Sequence, residues 1–244
     1  MLKFIAVLAI FILLAIGIVY FVFRSSFFQI TSFEVMGSQK TEEIKSELIS
    51  IFSKTSKIQS WLGPENLFFW SPKAIQKIPQ SLFWLSDLTL KRDWFSRKIS
   101  IEVKERQPWL IWCLDNIQCH WLDDSGVAFA RAPQAEGFII PKVLEENGQP
   151  LIFGQPFFNN SDLVKNTLEI IKQLQNSSLA VSRFLIKDVN LQEMTAETNG
   201  PKLYFSLRYL PQNFSQILAS LNERIDFQKL EYIDFRVENR IYYK

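Results

Sequence analysis

The strongest constraint on this chain is a run of twenty uncharged residues near its start, Phe4–Phe23. As a helix, such a run is ~30 Å long, which matches the hydrocarbon core of a bilayer. A cleaved signal peptide is the alternative, but its apolar core has roughly 7–15 residues and precedes a small-residue cleavage site. This run is longer and leads into Arg24-Ser25-Ser26-Phe27-Phe28. We therefore predict an uncleaved transmembrane anchor within residues 1–24.

The charge pattern predicts the side of the membrane on which the rest of the chain lies. Met1-Leu2-Lys3 is a minimal leader, and it is the easier end to leave in the cytoplasm. The larger part is then extracytoplasmic. The whole chain has 27 Lys and Arg against 25 Asp and Glu, and 48% of its residues are hydrophobic. This balance predicts a sizeable folded core, and it argues against a nucleic-acid binder, which needs a basic surface.

Residues 25–106 alternate between strand and helix patterns. Strands are predicted where apolar and polar residues alternate, and helices where apolar residues recur every three or four positions. The predicted elements are a strand at 28–35, a helix at 41–52, a helix from Ser71-Pro72 to Pro79, and strands at 85–92 and 98–104. This block therefore has the order β-α-α-β-β.

A break at Glu105-Arg106-Gln107-Pro108 predicts a domain boundary, with a second domain at 107–244. The second domain is predicted as a mixed β-sheet with two or more helices. Its predicted elements are a cysteine hairpin at 111–121, strands at 184–189 and 203–207, helices from Ser161 and Phe214, and two strands within 231–244. The whole chain is therefore predicted to be α+β.

The two cysteines lie in one predicted hairpin. If Asp115, Asn116 and Ile117 form a three-residue turn, Cys113 faces Cys119 across the two strands. Directly opposed residues have Cβ atoms ~4.5–5.5 Å apart, which is close to the spacing of a disulfide. We favour a disulfide over two buried thiols, because an extracytoplasmic location permits oxidation. Zinc is disfavoured, since His120 is the single histidine and one ligand is lacking.

The sequence offers little catalytic chemistry. A single histidine limits acid–base schemes, and we find no nucleophile elbow, phosphate loop or metalloprotease motif. Asp123-Asp124 is a candidate carboxylate pair, although Asp-Asp-Ser-Gly between apolar runs is more often a turn. We therefore predict no catalytic, cofactor-binding or metal-binding residue, and no cofactor.

The last fourteen residues, 231–244, alternate apolar and polar side chains and finish on aromatic ones. This pattern predicts a strand with one buried face. A terminal strand with one open side is either a docking edge for a partner strand or a cover for the core. The residues themselves favour neither reading.

Four runs resemble, in their order and spacing, one bacterial family. They are Phe28-Gln29-Ile30 with Phe33, Val35 and Gly37; Ile99-x-Ile101-x-Val103-x-Glu105-Arg106-x-Pro108-x-x-x-Trp112; Asp123-x-x-Gly126-x-x-Phe129; and Tyr232-Ile233-Asp234-Phe235-Arg236 continuing to Lys244. Each run is degenerate alone, but together they span essentially the whole chain. This order resembles the cell-division protein FtsQ, called DivIB in Gram-positive bacteria.

The resemblance implies a POTRA domain at 25–106 and an FtsQ-type β domain at 107–244. It implies a non-enzymatic scaffold of the division septum, a single-pass protein of the cytoplasmic membrane with both domains outside. The implied partners are FtsB-type and FtsL-type single-pass proteins, through which such scaffolds help to control septal peptidoglycan synthesis. The partner-binding residues that it implies are Arg236, Val237, Glu238, Asn239, Arg240, Ile241, Tyr242 and Tyr243.

Three other functions stay open at this point. One is a membrane-anchored enzyme of the cell wall, which needs a pocket with perturbed carboxylates. Another is a POTRA-containing transport or assembly component, although such proteins tend to carry several repeats or a large barrel. The third is a glycosylated eukaryotic protein, because Asn159, Asn176 and Asn213 each begin an N-x-S/T triplet.

Overall fold

The computed structural model describes all residues except 1, 56, 73–74, 76–77, 116, 135–139, 178, 212–213 and 226–228. Its contacts divide the chain into two compact units, Met1–Glu105 and Arg106–Lys244. The division falls one residue before the boundary that the sequence predicts. We call these parts unit 1 and unit 2.

Unit 1 begins with helix α1, Leu2–Arg24, whose described side chains are largely exposed. The prediction of a transmembrane helix over Phe4–Phe23 is wrong. Among the residues that the structure describes, no helix is both long and apolar enough to cross a membrane.

The rest of unit 1 is a three-stranded sheet with two helices. Its elements are β1 Ser32–Met36, α2 Thr41–Thr55, α3 Lys57–Leu62, β2 Leu85–Asp93 and β3 Lys98–Glu105. The strand order is β1-β3-β2, with β1 parallel and β2 antiparallel to β3. The order β-α-α-β-β is therefore present, with α3 at Lys57–Leu62 as its second helix.

The core of unit 1 forms between α2 and the sheet. Ile44, Leu48 and Phe52 lie on one face of α2 and are fully buried. The segment between α3 and β2 adds Phe69 and Trp70, whose rings lie 5.7 Å and 5.5 Å from the Phe52 ring. The predicted helix there falls partly outside the described residues. The burial of Phe69 and Trp70 explains why the segment between α3 and β2 is rich in apolar residues but shows neither a helical nor a strand period.

The described residues of unit 2 form nine strands and two α-helices. The strands are β4 Leu110–Leu114, β5 Gln118–Leu122, β6 Ala128–Arg131, β7 Lys142–Glu145, β8 Val181–Ile186, β9 Glu193–Thr198, β10 Lys202–Ser206, β11 Tyr232–Val237 and β12 Arg240–Tyr243, and the helices are α4 Ser161–Gln175 and α5 Phe214–Arg224. They form one sheet in the order β12-β11-β10-β9-β8-β7-β4-β5-β6. Parallel and antiparallel pairs both occur, so the prediction of a mixed sheet is confirmed.

The helices of unit 2 supply the apolar residues that pack with the sheet. Asn160 caps α4 by accepting hydrogen bonds from the N–H groups of Asp162 and Leu163. Ile171 and Leu174 of α4 are fully buried. At the C-terminal end of the sheet, the Phe205 and Phe235 rings stack 5.2 Å apart, and Phe214 of α5 lies 5.2 Å from Phe235. This packing fixes β10 and β11, and therefore the strand that follows them.

Gly37 gives the first testable prediction. Its φ is +96°, and a Cβ there would collide with the main-chain carbonyl of Val103. We expect Gly37→Ala to lower the free energy of unfolding by about 2–4 kcal/mol, because left-handed strain adds to a backbone clash. Gly63→Ala is the matched control, since Gly63 has φ +75° and open space around it.

The Gly63→Ala variant should lower the free energy of unfolding by only about 1 kcal/mol, because it adds the strain of the positive φ angle and no clash. Urea unfolding followed by circular dichroism measures both variants. Equal losses would contradict the role assigned to the close approach of Gly37 to β3.

Candidate functional site at the C-terminal edge

The candidate site is β12, the terminal strand of the nine-stranded sheet. It pairs with β11 through Ile233–Tyr243, Asp234–Tyr242 and Val237–Arg240. Asn239, in the turn between the strands, has φ +60°, a conformation that Asn tolerates better than most residues. The other side of β12 carries no strand within the described part of the chain. The predicted terminal strand is therefore an edge.

The end of β12 is tied into the sheet. The Lys244 N–H donates to the Tyr232 carbonyl at 3.2 Å, and the Lys244 carbonyl accepts from the Glu231 N–H at 2.6 Å. The Lys244 ammonium lies 3.0 Å from the Glu231 carboxylate. This hydrogen bond and charge raise the pKa of Lys244. The edge is thus held in place to its last residue, rather than fraying as many termini do.

The pairing also shows which backbone groups face outward. Tyr232 and Lys244 are a hydrogen-bonded pair, so the alternation of an antiparallel ladder makes Asp234 and Tyr242 the next one. The N–H and C=O groups of Ile241 and Tyr243 then point away from β11. These groups form the open hydrogen-bonding row of the edge.

The side chains of β12 divide between the core and the solvent. Ile241 is half-buried and packs against the core of unit 2. Tyr242 and Tyr243 are 47% and 50% exposed. A partner strand laid along this edge would therefore meet two tyrosine side chains as well as free backbone groups.

A groove lies beside the edge, where α5 approaches the β11–β12 turn. It has a volume of about 330 Å³ and is lined in part by Tyr209, Ile217, Phe235 and Ile241. The Tyr209 hydroxyl donates to the Phe235 carbonyl at 3.0 Å, which fixes one wall of the groove. The walls supply rings and aliphatic groups together with the polar side chains of Glu238, Asn239 and Arg240, so the groove suits a partner side chain that has both apolar and polar parts.

Arg236, which the sequence reading assigns to partner binding, is already engaged within unit 2. Its guanidinium donates to Asp234 at 2.7 Å and to Glu193 at 3.0 Å, and lies 5.0 Å from the Tyr204 ring. The Asp234 hydrogen bonds raise the pKa of Arg236. Burial opposes ionisation of Asp234, but its bonds to Arg236 hold the Asp234 pKa below the ordinary value.

Arg236 therefore links strands β9 and β11, and it has less freedom to meet a partner than expected. Arg240 is exposed and makes no ion pair within the described residues. It is the better candidate for a contact with an acidic partner. The sequence does not predict that Glu193 and Tyr204 contact Arg236, because these two residues lie on other strands. The alternation in Glu193–Thr198 indicates strand β9, but it does not indicate this contact.

The cysteine hairpin forms as the register predicts. Cys113 pairs with Cys119, and their sulfur atoms are joined at 2.04 Å. Asn116 of the predicted turn lies outside the described residues. Both thiols are consumed by this bond, so neither can ligate zinc. Among the described residues, no cluster of three potential metal ligands forms.

Asp123 belongs to a turn and not to a carboxylate pair. It is buried, and its Oδ1 accepts hydrogen bonds from the N–H groups of Ser125 and Val127. Its Oδ2 accepts from the Arg106 guanidinium, whereas Asp124 is exposed. Asp123 therefore forms an ion pair with Arg106.

Two buried titratable groups remain as possible sites of chemistry. Burial raises the pKa of Glu145, whose Oε2 accepts a hydrogen bond from Trp112 Nε1 at 2.7 Å. Burial, together with the charge of Arg131, lowers the pKa of His120, whose ring lies 5.5 Å from Phe153. Both residues are less than 10% exposed, so neither is open to a substrate.

Asp123 carries a testable prediction. We expect Asp123→Ala to lower the free energy of unfolding by about 3 kcal/mol, because it removes a buried ion pair and the hydrogen bonds of the turn. Asp124→Ala, one residue away and exposed, should change it by less than ~0.5 kcal/mol. Denaturant unfolding of the two variants tests the difference. Similar losses at both positions would contradict the structural role of Asp123.

Glu145 predicts a pH dependence. The pKa of Glu145 is raised in the folded chain, so ionisation of this carboxyl opposes folding. The contribution of Glu145 to stability is fully present below pH ~4 and is lost as the pH rises through the pKa of the folded chain. Glu145→Gln keeps an acceptor for Trp112 but cannot ionise. The variant should therefore gain stability relative to the native chain between pH 4 and 8.

Melting temperature measured across this range tests the prediction. Glu146→Gln, at the neighbouring half-exposed position, is the control and should follow the native chain. A Glu145→Gln curve that runs parallel to the native one would contradict a raised pKa at this carboxyl.

Comparison with known proteins adds no family to this description. No protein-family model matches the sequence, and no curated protein matches it. The resemblance to FtsQ and DivIB therefore remains a prediction from the four runs of residues.

Proposed function

We propose that this chain is a non-enzymatic scaffold that binds a partner segment as an added strand along β12. The observation that carries the proposal is the open backbone row of Ile241 and Tyr243 on a strand that is fixed to its end. Such an edge gives affinity through main-chain hydrogen bonds and specificity through nearby side-chain pockets. The groove beside Ile241 is the pocket of this kind.

The proposed partner is a single-pass protein of the FtsB type, acting together with one of the FtsL type. This choice rests on the resemblance of 232–244 to the family, in which the same region binds FtsB. On this proposal the scaffold links early and late division proteins and helps to control septal peptidoglycan synthesis. Arg240 would steer an acidic partner segment, which affects the association rate more than the affinity.

The proposed location is the extracytoplasmic side of the bacterial cytoplasmic membrane, at the division septum. The Cys113–Cys119 disulfide supports an oxidising compartment, because cytosolic thiols are kept reduced. The proposal depends on the edge of unit 2 and does not require a membrane-spanning helix.

The main alternative is an enzyme acting on the cell wall. Its best candidate acid is Glu145, whose pKa is raised by burial. That carboxyl is 3% exposed and already hydrogen-bonded to Trp112, which leaves no path for a polymeric substrate. The scaffold is therefore the function that the described residues support best.

Tyr243→Pro tests the docking edge. Proline removes an N–H that points outward, so it should spare the β11–β12 ladder while blocking a partner strand. Tyr243→Val is the matched control, because it also removes the ring but keeps the N–H. We expect the proline variant to bind the extracytoplasmic segment of an FtsB-type partner at least ~10-fold more weakly than the valine variant.

Binding is measured by fluorescence anisotropy with a labelled partner segment, and folding by circular dichroism and melting temperature. Equal binding by the two variants would place the docking surface away from β12. If the native chain binds no such segment, the division scaffold loses its main support and the wall enzyme becomes the stronger hypothesis.

A further inference from the structure

Unit 1 carries a row of neighbouring aromatic rings, of which Phe27, Phe68 and Phe95 are exposed and Phe28 and Trp94 are half-buried. The Phe28 ring lies 5.2 Å from Phe27 and 5.1 Å from Phe68, and the Phe68 ring lies 4.9 Å from Trp94. Phe95, next along the chain, is fully exposed. We call Phe27, Phe28, Phe68, Trp94 and Phe95 the aromatic collar. A connected patch of this kind on a protein surface usually marks a binding site.

The collar is held rigidly. The Asp93 carboxylate accepts hydrogen bonds from the N–H groups of Phe95 and Ser96 at 2.9 and 3.2 Å, which fixes the turn between β2 and β3. The Thr31 hydroxyl donates to the Ser96 carbonyl at 2.9 Å. Phe95 is therefore presented to the outside by a braced turn and not by a loose loop.

The collar contacts the C-terminal end of α1. The Phe21 ring lies 5.8 Å from Phe28, and the Asn66 side-chain amide donates to the Val22 carbonyl at 2.9 Å. Large apolar side chains of α1 are exposed along its length. The collar is thus continuous with an apolar surface.

Two arginine side chains lie beside the collar and add positive charge to it. The Arg92 guanidinium lies 4.1 Å from the Trp94 ring and donates to the Leu67 and Trp70 carbonyls. The Arg97 guanidinium donates to the Ser26 carbonyl at 2.8 Å. Within the described residues, neither makes an ion pair with a carboxylate. Asp93, the carboxylate next to Arg92 in the sequence, is engaged with its own turn.

We infer that the aromatic collar lies in the headgroup layer of a phospholipid bilayer. Aromatic rings suit the boundary between water and hydrocarbon, and arginine binds phosphate oxygens. In this arrangement Phe95 and Trp94 enter the upper acyl region while Arg92 and Arg97 meet lipid phosphates. The contact is made by side chains at the interface, and it is independent of partner binding at β12.

A depth measurement at the collar tests this inference. Phe95→Cys places a reactive thiol at the exposed tip, since both native cysteines are in the disulfide. The full chain is labelled there with an environment-sensitive fluorophore and mixed with phosphatidylcholine–phosphatidylglycerol vesicles. Lys104→Cys is the control, because Lys104 is exposed and lies six residues along β3 from Lys98, ~20 Å from the collar.

The label at position 95 should shift its emission to the blue and lose at least about half its intensity with lipids brominated near the headgroup. The label at position 104 should keep the emission that it has in water. The inference is overturned if the chain does not bind the vesicles. It is also overturned if position 95 stays solvent-exposed in the bound chain, or if both positions are quenched alike. Circular dichroism confirms that both variants are folded.

Discussion

Every open β-sheet has two edges whose backbone groups need partners, and unit 2 treats its two edges differently. At β6 the Ala128 N–H donates to the Gln155 carbonyl at 3.1 Å, and the Ala128 carbonyl accepts from Gly154 at 2.8 Å. The start of that edge is therefore covered by the chain itself, at Gly154 and Gln155. At β12 the outward row has no such cover within the described residues. This asymmetry is the reason to place docking at β12, because an uncovered edge is a hazard unless it is used.

The position of β12 depends on packing several strands away. The parallel pairing of β10 with β11 and the stacked rings of Phe205 and Phe235 fix the strand that carries the terminal hairpin. Arg236 then links that strand to β9 through Glu193. A rigid edge reduces the conformational entropy that a partner strand must overcome on binding. The arginine that the sequence reading assigned to the partner therefore acts mainly within the protein.

The two buried carboxylates of unit 2, Asp123 and Glu145, have structural explanations. Asp123 holds a turn and pairs with Arg106, and Glu145 accepts a hydrogen bond from Trp112. The disulfide joins β4 to β5 where their residues face each other. Such groups stabilise one arrangement of the chain, because a buried polar atom without its partner is costly. The edge in unit 2 and the aromatic collar in unit 1 are accessible to other molecules.

The sequence alone determined the features that depend on near neighbours. Period-2 alternation predicted β2, β3, β11 and β12, and the short turn predicted that Cys113 faces Cys119. Local pattern also made the Asp123–Gly126 turn the favoured reading. Local pattern did not predict the structure correctly where contacts between residues distant in the chain determine it. The segment before β2 is apolar because Trp70 is buried against α2, and β7 was not predicted because its four residues have little pattern of their own.

Only the tertiary structure decided which strand is an edge and which arginine is available. Strand order depends on pairings between residues far apart, such as Leu203 with Ile233, and no local period encodes them. The same holds for the contacts of Arg236 with Glu193 and for the collar, whose rings come from three separate segments. The sequence therefore determined that residues 232–243 form strands, and the fold decided that β12 has no neighbouring strand on its far side within the described residues.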